Sequence, residues 1–494
     1  MTETKKFHRR ILPLFVFLIL CVSGLHAQAA DQATDQSRPA QAKGEPSASQ
    51  TQAAPENKIS SKAAEELFHS VDEILQFASK DTGLPLKGEV KRRLTNRDEV
   101  VAYLEKNMRD DKDTQRLRRS ELVLKKFGLL PRDFDLQTFL VALLREQVAG
   151  YYDGKTKTVN LLDWVDAEQQ KPVLAHELTH ALQDQSFDVE KWLRAGDTDL
   201  DDKAQPTATD VEDDEISEAR QAVVEGQATA VLIDYMLAPL DQSLLTSPQI
   251  ADALKQEMIS GPSDSVAFRS APIFLQRTLT FPYSYGLDFE TALLKAGGKE
   301  KAFAGVFANP PRSTRQIMEP ETYLSGEHLP AMRLPDFQQD FKNYNRFDFG
   351  AIGELDVAVL VDQYAGSQAS KRMYPHWRGG YYYAARPKND ATAPLAVLYF
   401  SRWSSPEAAA DFAAIYARSL TKRYKRAQEV KQPGKSAAGD LAVIEALTGA
   451  HSWLTDEGLA VIAVQGDSVL VTESFDQPTT ESLEKELEPP AAPK

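Results

Sequence analysis

His176 and His180 stand four residues apart, with Glu177 beside the first, in the run Leu174-Ala175-His176-Glu177-Leu178-Thr179-His180-Ala181-Leu182. That spacing has a clear geometric meaning in an α-helix, where residues i and i+4 lie one turn apart on the same side. Both imidazoles can then meet at one point in space. Leu174, Leu178, Ala181 and Leu182 supply a buried stripe for the same helix, and the two histidines project away from it. Asp184 continues their polar side, and Glu177 sits at the border. The chain has eight histidines in 494 residues, so composition alone does not account for the pair.

Two imidazoles placed in this way suit one zinc ion per chain. The glutamate between them cannot reach the metal in the same way, but it can reach a water on it. Zinc lowers the pKa of such a water from about 15.7 to about 7. Glu177 is then the expected general base, and afterwards the acid that protonates the leaving amine. A catalytic zinc needs a third protein ligand and one open position. Glu225, in Val223-Val224-Glu225-Gly226-Gln227-Ala228, is the first choice. It lies on a helix whose other face is apolar, where a carboxylate is costly unless paired or metal-bound. Gly226 and Ala228 are small enough to let two helices approach closely. Glu218 and Glu215, earlier on the same helix, remain open either as ligands or as acceptors behind a ligand histidine, and Asp184 is a further such acceptor.

The run His176 to Asp184 resembles the zinc helix of gluzincins, the thermolysin-like class of metallopeptidases. The resemblance covers roughly residues 95 to 335. It implies a Glu ligand on a following helix, which matches Glu225, and hydrolysis of peptide bonds. The expected fold class is α+β, with a mainly helical zincin-like domain that carries a small antiparallel sheet and a smaller α+β sheet domain after it. In this class the strand before the zinc helix pairs with the substrate main chain. Thr156 to Leu162 alternates and is rich in β-branched residues, so it reads as that strand. As an edge strand it offers Val159 and Asn160 to substrate. Two departures mark a distant branch. The gap from His180 to Glu225 is long, and Thr229 stands four after Glu225, where thermolysin-like enzymes carry Asp. The segments Val148 to Asp153 and Pro310 to Thr314 resemble those of secreted bacterial proteins of the same superfamily.

A tetrahedral intermediate also needs a donor for its oxyanion. Tyr283, Tyr285 and Tyr323 lie in Pro-flanked, loop-like segments and are candidates, as are Arg312 and Arg315. His328, His376 and His451 are isolated, which favours surface or core roles. The acidic stretch Asp197 to Glu215 matches no calcium loop and reads as a solvated surface loop.

The remaining features set compartment and boundaries. Lys5, Lys6, Arg9 and Arg10 precede the apolar run Ile11 to Leu25 and the small-x-small pattern Ala27-Gln28-Ala29, which together read as a signal peptide over 1–29. Secretion or periplasmic location follows as an expectation. The one cysteine, Cys21, lies inside that segment, so a mature chain has no disulfide to rely on. Residues 30–57 read as a disordered linker, 58–340 as the metallopeptidase domain with a helical part over 58–148, 345–478 as the C-terminal domain and 479–494 as a flexible tail. Within the C-terminal domain, 379–385, 394–402, 440–447, 459–464 and 468–473 read as strands and 406–423 as a helix. The formal net charge of -15 and the lack of a basic patch argue against nucleic acid as partner. No later stretch is long and apolar enough to span a membrane. The expected partner is a peptide or protein substrate. Two alternatives stay open: a cell-envelope binding or assembly protein with a structural or inactive zinc, and a zinc hydrolase acting on a non-peptide amide.

Overall fold

The computed structural model describes residues 58–487 apart from 109–110, 148–149, 195–204, 260–264, 431–436 and 442. The expected signal segment 1–29, the linker 30–57 and the Val148-Ala149 part of the resemblance lie outside the described residues.

Helix α1, Ser61–Thr82, begins where the Ser60 side chain accepts from Ala63 N and ends at Gly83 in the left-handed region. An N-cap of this kind contributes about 1 kcal/mol. Its stripe Leu67, Val71, Ile74, Leu75 and Ala78 is buried, at the expected helical spacing. Strand β1, Lys91–Thr95, follows, then α2, Asp111–Phe127, which stops at Gly128. Gly128 has φ 71°, and a Cβ there would lie 2.2 Å from Tyr364 Oη, so both backbone and packing demand glycine. Strands β2, Tyr151–Asp153, and β3, Thr158–Leu162, lead into α3, Ala167–Phe187. Asp166 caps α3 by accepting from Glu168 N and Gln169 N. Helix α4, Ala208–Leu237, opens with a Thr207–Asp210 capping box, and α5 spans Ile273–Lys299. The described end of the acidic stretch is helical: α4 begins at Ala208, and Asp213 and Glu215 are buried rather than solvated, while 197–204 lie outside the described residues.

The first sheet corrects two expectations. Its order is β1-β3-β2, with β1 parallel to β3 and β2 antiparallel to it, so it is mixed rather than antiparallel. The strand expected to be free at the edge is the central one. Strand β1 escapes a reading of 58–148 as helical because Lys91, Arg92 and Arg93 give it no apolar alternation; only Thr95 is buried.

The second sheet is antiparallel with seven strands, in the order β4-β5-β6-β10-β9-β8-β7. They are β4 Tyr344–Ala351, β5 Trp377–Pro387, β6 Ala396–Trp403, β7 Ala427–Glu429, β8 Gly449–Thr455, β9 Gly458–Gln465 and β10 Ser468–Glu473. Helix α6, Glu354–Ala365, and helix α7, Pro406–Arg423, pack against it. Phe412 of α7 stacks on Trp403 with ring centroids 4.3 Å apart, a pair contributing about 1 kcal/mol beyond its buried area. The described residues of 440–447 form no strand; the strand starts at Gly449, after that turn. Nor are residues 477–486 a loose tail. They form α8, Gln477–Glu486, capped by Asp476, and Leu483 is fully buried. One apolar cluster runs from Leu67 through α3, α4 and α5 to Val471, so the two sheets share a core.

Candidate metal centre

Helices α3, α4 and α5 build the site. Gly226 of α4 faces Gly286 of α5 so closely that a Cβ on Gly226 would lie 2.3 Å from the Gly286 carbonyl carbon. The small residue beside Glu225 thus permits close helix packing, here between α4 and α5. Helix α3 crosses the same part of α4, and Gln183 Nε2 donates to Val224 O at 3.1 Å.

These contacts bring His176, His180 and Glu225 together, with all three potential ligand atoms within 4.8 Å of one another. Glu225 Oε2 lies 3.2 Å from His176 Nε2 and 3.6 Å from His180 Nε2. Two ligands about 2.05 Å from one tetrahedral zinc stand about 3.3 Å apart, so the spacing fits a cation of that size. Gln221 Nε2 donates to the other oxygen, Glu225 Oε1, at 2.9 Å and aims the carboxylate. Exposure is 1% for His176, 0% for Glu177, 3% for His180 and 2% for Glu225.

Burial dominates the charges. It pushes His176 down to about 4, leaving a neutral imidazole. Burial also works against charge on Glu225 and His180, yet each favours the charged form of the other. Glu225 is drawn down to about 2 by the two histidines, and His180 is raised by Glu225, Glu177 and Gln183. Any proton that His180 carries on Nε2 would leave on metal uptake.

Glu177 stands beside this group but outside the ligand set. Burial pushes its carboxyl up to about 8. Tyr152 N donates to Glu177 Oε2 at 2.7 Å, which orients the group. Among the described residues neither Glu177 Oε1 nor His176 Nδ1 has a hydrogen-bond partner. Other buried polar atoms among the described residues share this state, both Glu290 oxygens among them; these two stand out by their place beside the three convergent ligand atoms.

Other expected residues divide. Tyr283 lies on α5 rather than in a loop, with its ring stacked on His176 at 6.2 Å. Tyr285 is also on α5 but turns to Tyr374. Tyr323 donates to Asn309 O, Arg312 pairs with Glu212, and Arg315 is buried among Glu319, Glu327 and Glu354. Glu215 accepts from Thr314 N and Oγ1 and stands outside the convergent group, and Glu218 lines a neighbouring cavity of about 190 Å³ that also reaches Gln221. Asp184 accepts from Tyr152 Oη and Lys157, not from His176 or His180. Val159 and Asn160 are corrected as substrate-pairing residues. Both flanks of β3 are occupied, by Arg92 and Arg93 on one side and Tyr152 and Tyr151 on the other. The Asn160 side chain is spent on Thr95, Tyr151 and Thr158.

The sequence reading missed Gln183, Gln221, Gln227 and the Tyr152 N–H. The first three had a faint signal: Gln227 is an amide among mostly apolar or small residues on α4. Gln183 also follows His180 by three, and Gln221 precedes Glu225 by four, both on-face helical spacings. Comparisons with protein-family models, curated proteins and solved structures return no match to this chain.

Proposed function

We propose that this chain is a secreted zinc metallopeptidase of the zincin type, with His176, His180 and Glu225 as metal ligands and Glu177 as general base. One observation carries the reading: three convergent ligand side chains, with a carboxylate beside them that keeps one oxygen unpartnered. Structural zinc sites use four protein ligands, and catalytic ones three with a position left open. Zinc held here would polarise the scissile carbonyl and make water nucleophilic near neutral pH. Glu177 does the proton work. Its Oε2 is pinned by Tyr152 N–H, while Oε1 is free to take a proton from the attacking water. Burial raises the Glu177 carboxyl and so strengthens it as a base, and the leaving amine, a stronger base still, takes the proton from it. Tyr283, stacked on His176, is the tyrosine best placed to meet substrate. Secretion rests on the pattern over residues 5–29.

Burial of the whole group favours a second reading, an envelope binding or assembly protein with an inert metal. On the peptidase reading, the cover over the site moves to admit a peptide. Glu177→Gln separates the two. It should retain zinc and lose turnover on a casein or peptide-library screen by about 10²–10⁴-fold. Full activity in that variant would sink the mechanism. A parent that binds zinc but neither cleaves peptides nor binds a hydroxamate supports the inert site.

A further inference from the structure

We propose that Gln183 is a positioning residue for this centre: it holds His180 in the Nδ1–H tautomer and so presents Nε2 to the metal. This rests on the metal-centre reading above and not on the choice of substrate.

The polarity of the site is set from backbone carbonyls, which can only accept. Ala302 O and Phe303 O accept from Gln227 Nε2 at 2.8 and 3.2 Å. The amide oxygen of Gln227 therefore faces the other way, where it accepts from Gln183 Nε2 at 2.8 Å. The same Gln183 nitrogen donates to Val224 O at 3.1 Å, which occupies its second hydrogen. Turning the Gln183 amide over would set its oxygen against a carbonyl and another amide oxygen, in a place where both glutamines are fully buried. Oε1 is thus left facing His180 Nδ1 at 2.8 Å. An amide oxygen cannot donate, so Nδ1 carries the proton. Once Nε2 gives up any proton to a metal, the neutral imidazole keeps its one N–H at Nδ1, and the Nε2 lone pair points to the side where Glu225 Oε2 lies. His176 differs, because its Nδ1 has no such acceptor among the described residues.

The test measures zinc affinity of the full chain by competition with a chromophoric chelator, and the visible spectrum after cobalt loading. Gln183→Met keeps the volume and removes the acceptor. Zinc binding should weaken by about 10–100-fold, with an altered cobalt band. A folded Gln183→Met protein with parental affinity and spectrum overturns the proposal. Should that variant fail to fold, Gln227→Met decides. It removes the anchor without touching His180, and a smaller loss of affinity is expected; parental affinity in the folded protein again overturns the proposal. A parent that binds zinc and cleaves nothing removes peptide hydrolysis but leaves the role of Gln183 standing. A parent that binds neither metal overturns both.

Discussion

Two buried glutamates, Glu177 on α3 and Glu473 on β10, lie in the same continuous core and are treated in opposite ways. Glu473 is 1% exposed, and both its oxygens are saturated. Oε1 accepts from Arg423 Nη2 at 2.7 Å and Tyr416 Oη at 2.6 Å, and Oε2 accepts from Arg423 Nη1 and Tyr424 Oη. Arg423 also donates to Lys126 O, and Lys126 pairs with Glu457, so α2 is tied to the second sheet through this group. Although burial opposes its charge, Arg423 and Lys126 hold Glu473 down at about 2. Glu177 has one backbone N–H and an idle oxygen, and burial lifts it to about 8. A buried carboxylate with every lone pair used serves the fold. One left incomplete beside potential metal ligands has capacity in reserve for chemistry.

The same substitution at both positions should break the symmetry of burial and expose this difference. Glu473→Gln leaves Arg423 buried without its counter-charge, and thermal unfolding should show a loss of about 3–5 kcal/mol. Glu177→Gln, compared with the parent in chelator, should cost no stability, because the amide oxygen still accepts from Tyr152 N. A clear loss at 177 with little at 473 would reverse the assignment of roles.

Acid sharpens the contrast. Glu473 is depressed from 4.5 to about 2 in the folded chain, so its contribution is complete above about pH 4.5 and is lost as pH falls through about 2. That contribution is about 3 kcal/mol. Unfolding followed between about pH 2 and about pH 6 should show Glu473→Gln lacking this part of the acid-side slope. An unchanged slope would mean that Glu473 is not ionised in the folded parent.

The smallest effect concerns the packing that brings Glu225 to the site. Gly226→Ala should cost about 1–3 kcal/mol by forcing α4 from α5, and zinc affinity should fall with it. Parental stability and affinity would show that the close approach of α4 and α5 is not needed to place Glu225.

Some of this was legible without coordinates. The HExxH run and its apolar stripe are local, and helical periodicity reads them directly. So is the Pro406–Arg423 helix. Strand β1 and helix α8 were hidden because charge masks their few buried positions. Tyr283 and Tyr285 were misread as loop because Pro282 sits inside a helix.

What the chain determined by itself is which side chains can act together on one helix: two imidazoles and a carboxylate whose spacing within five residues matches the helical turn. Only the tertiary structure decided that Glu225, and neither Glu215 nor Glu218, completes the group. It alone put β3 at the centre of its sheet, set Tyr152 N–H on Glu177 and closed the Gln183–Gln227 relay behind His180. These partners lie 25 to 49 residues apart in sequence. No periodicity spans such gaps, and the packing of α3, α4 and α5 selects which of several equivalent-looking polar residues meet.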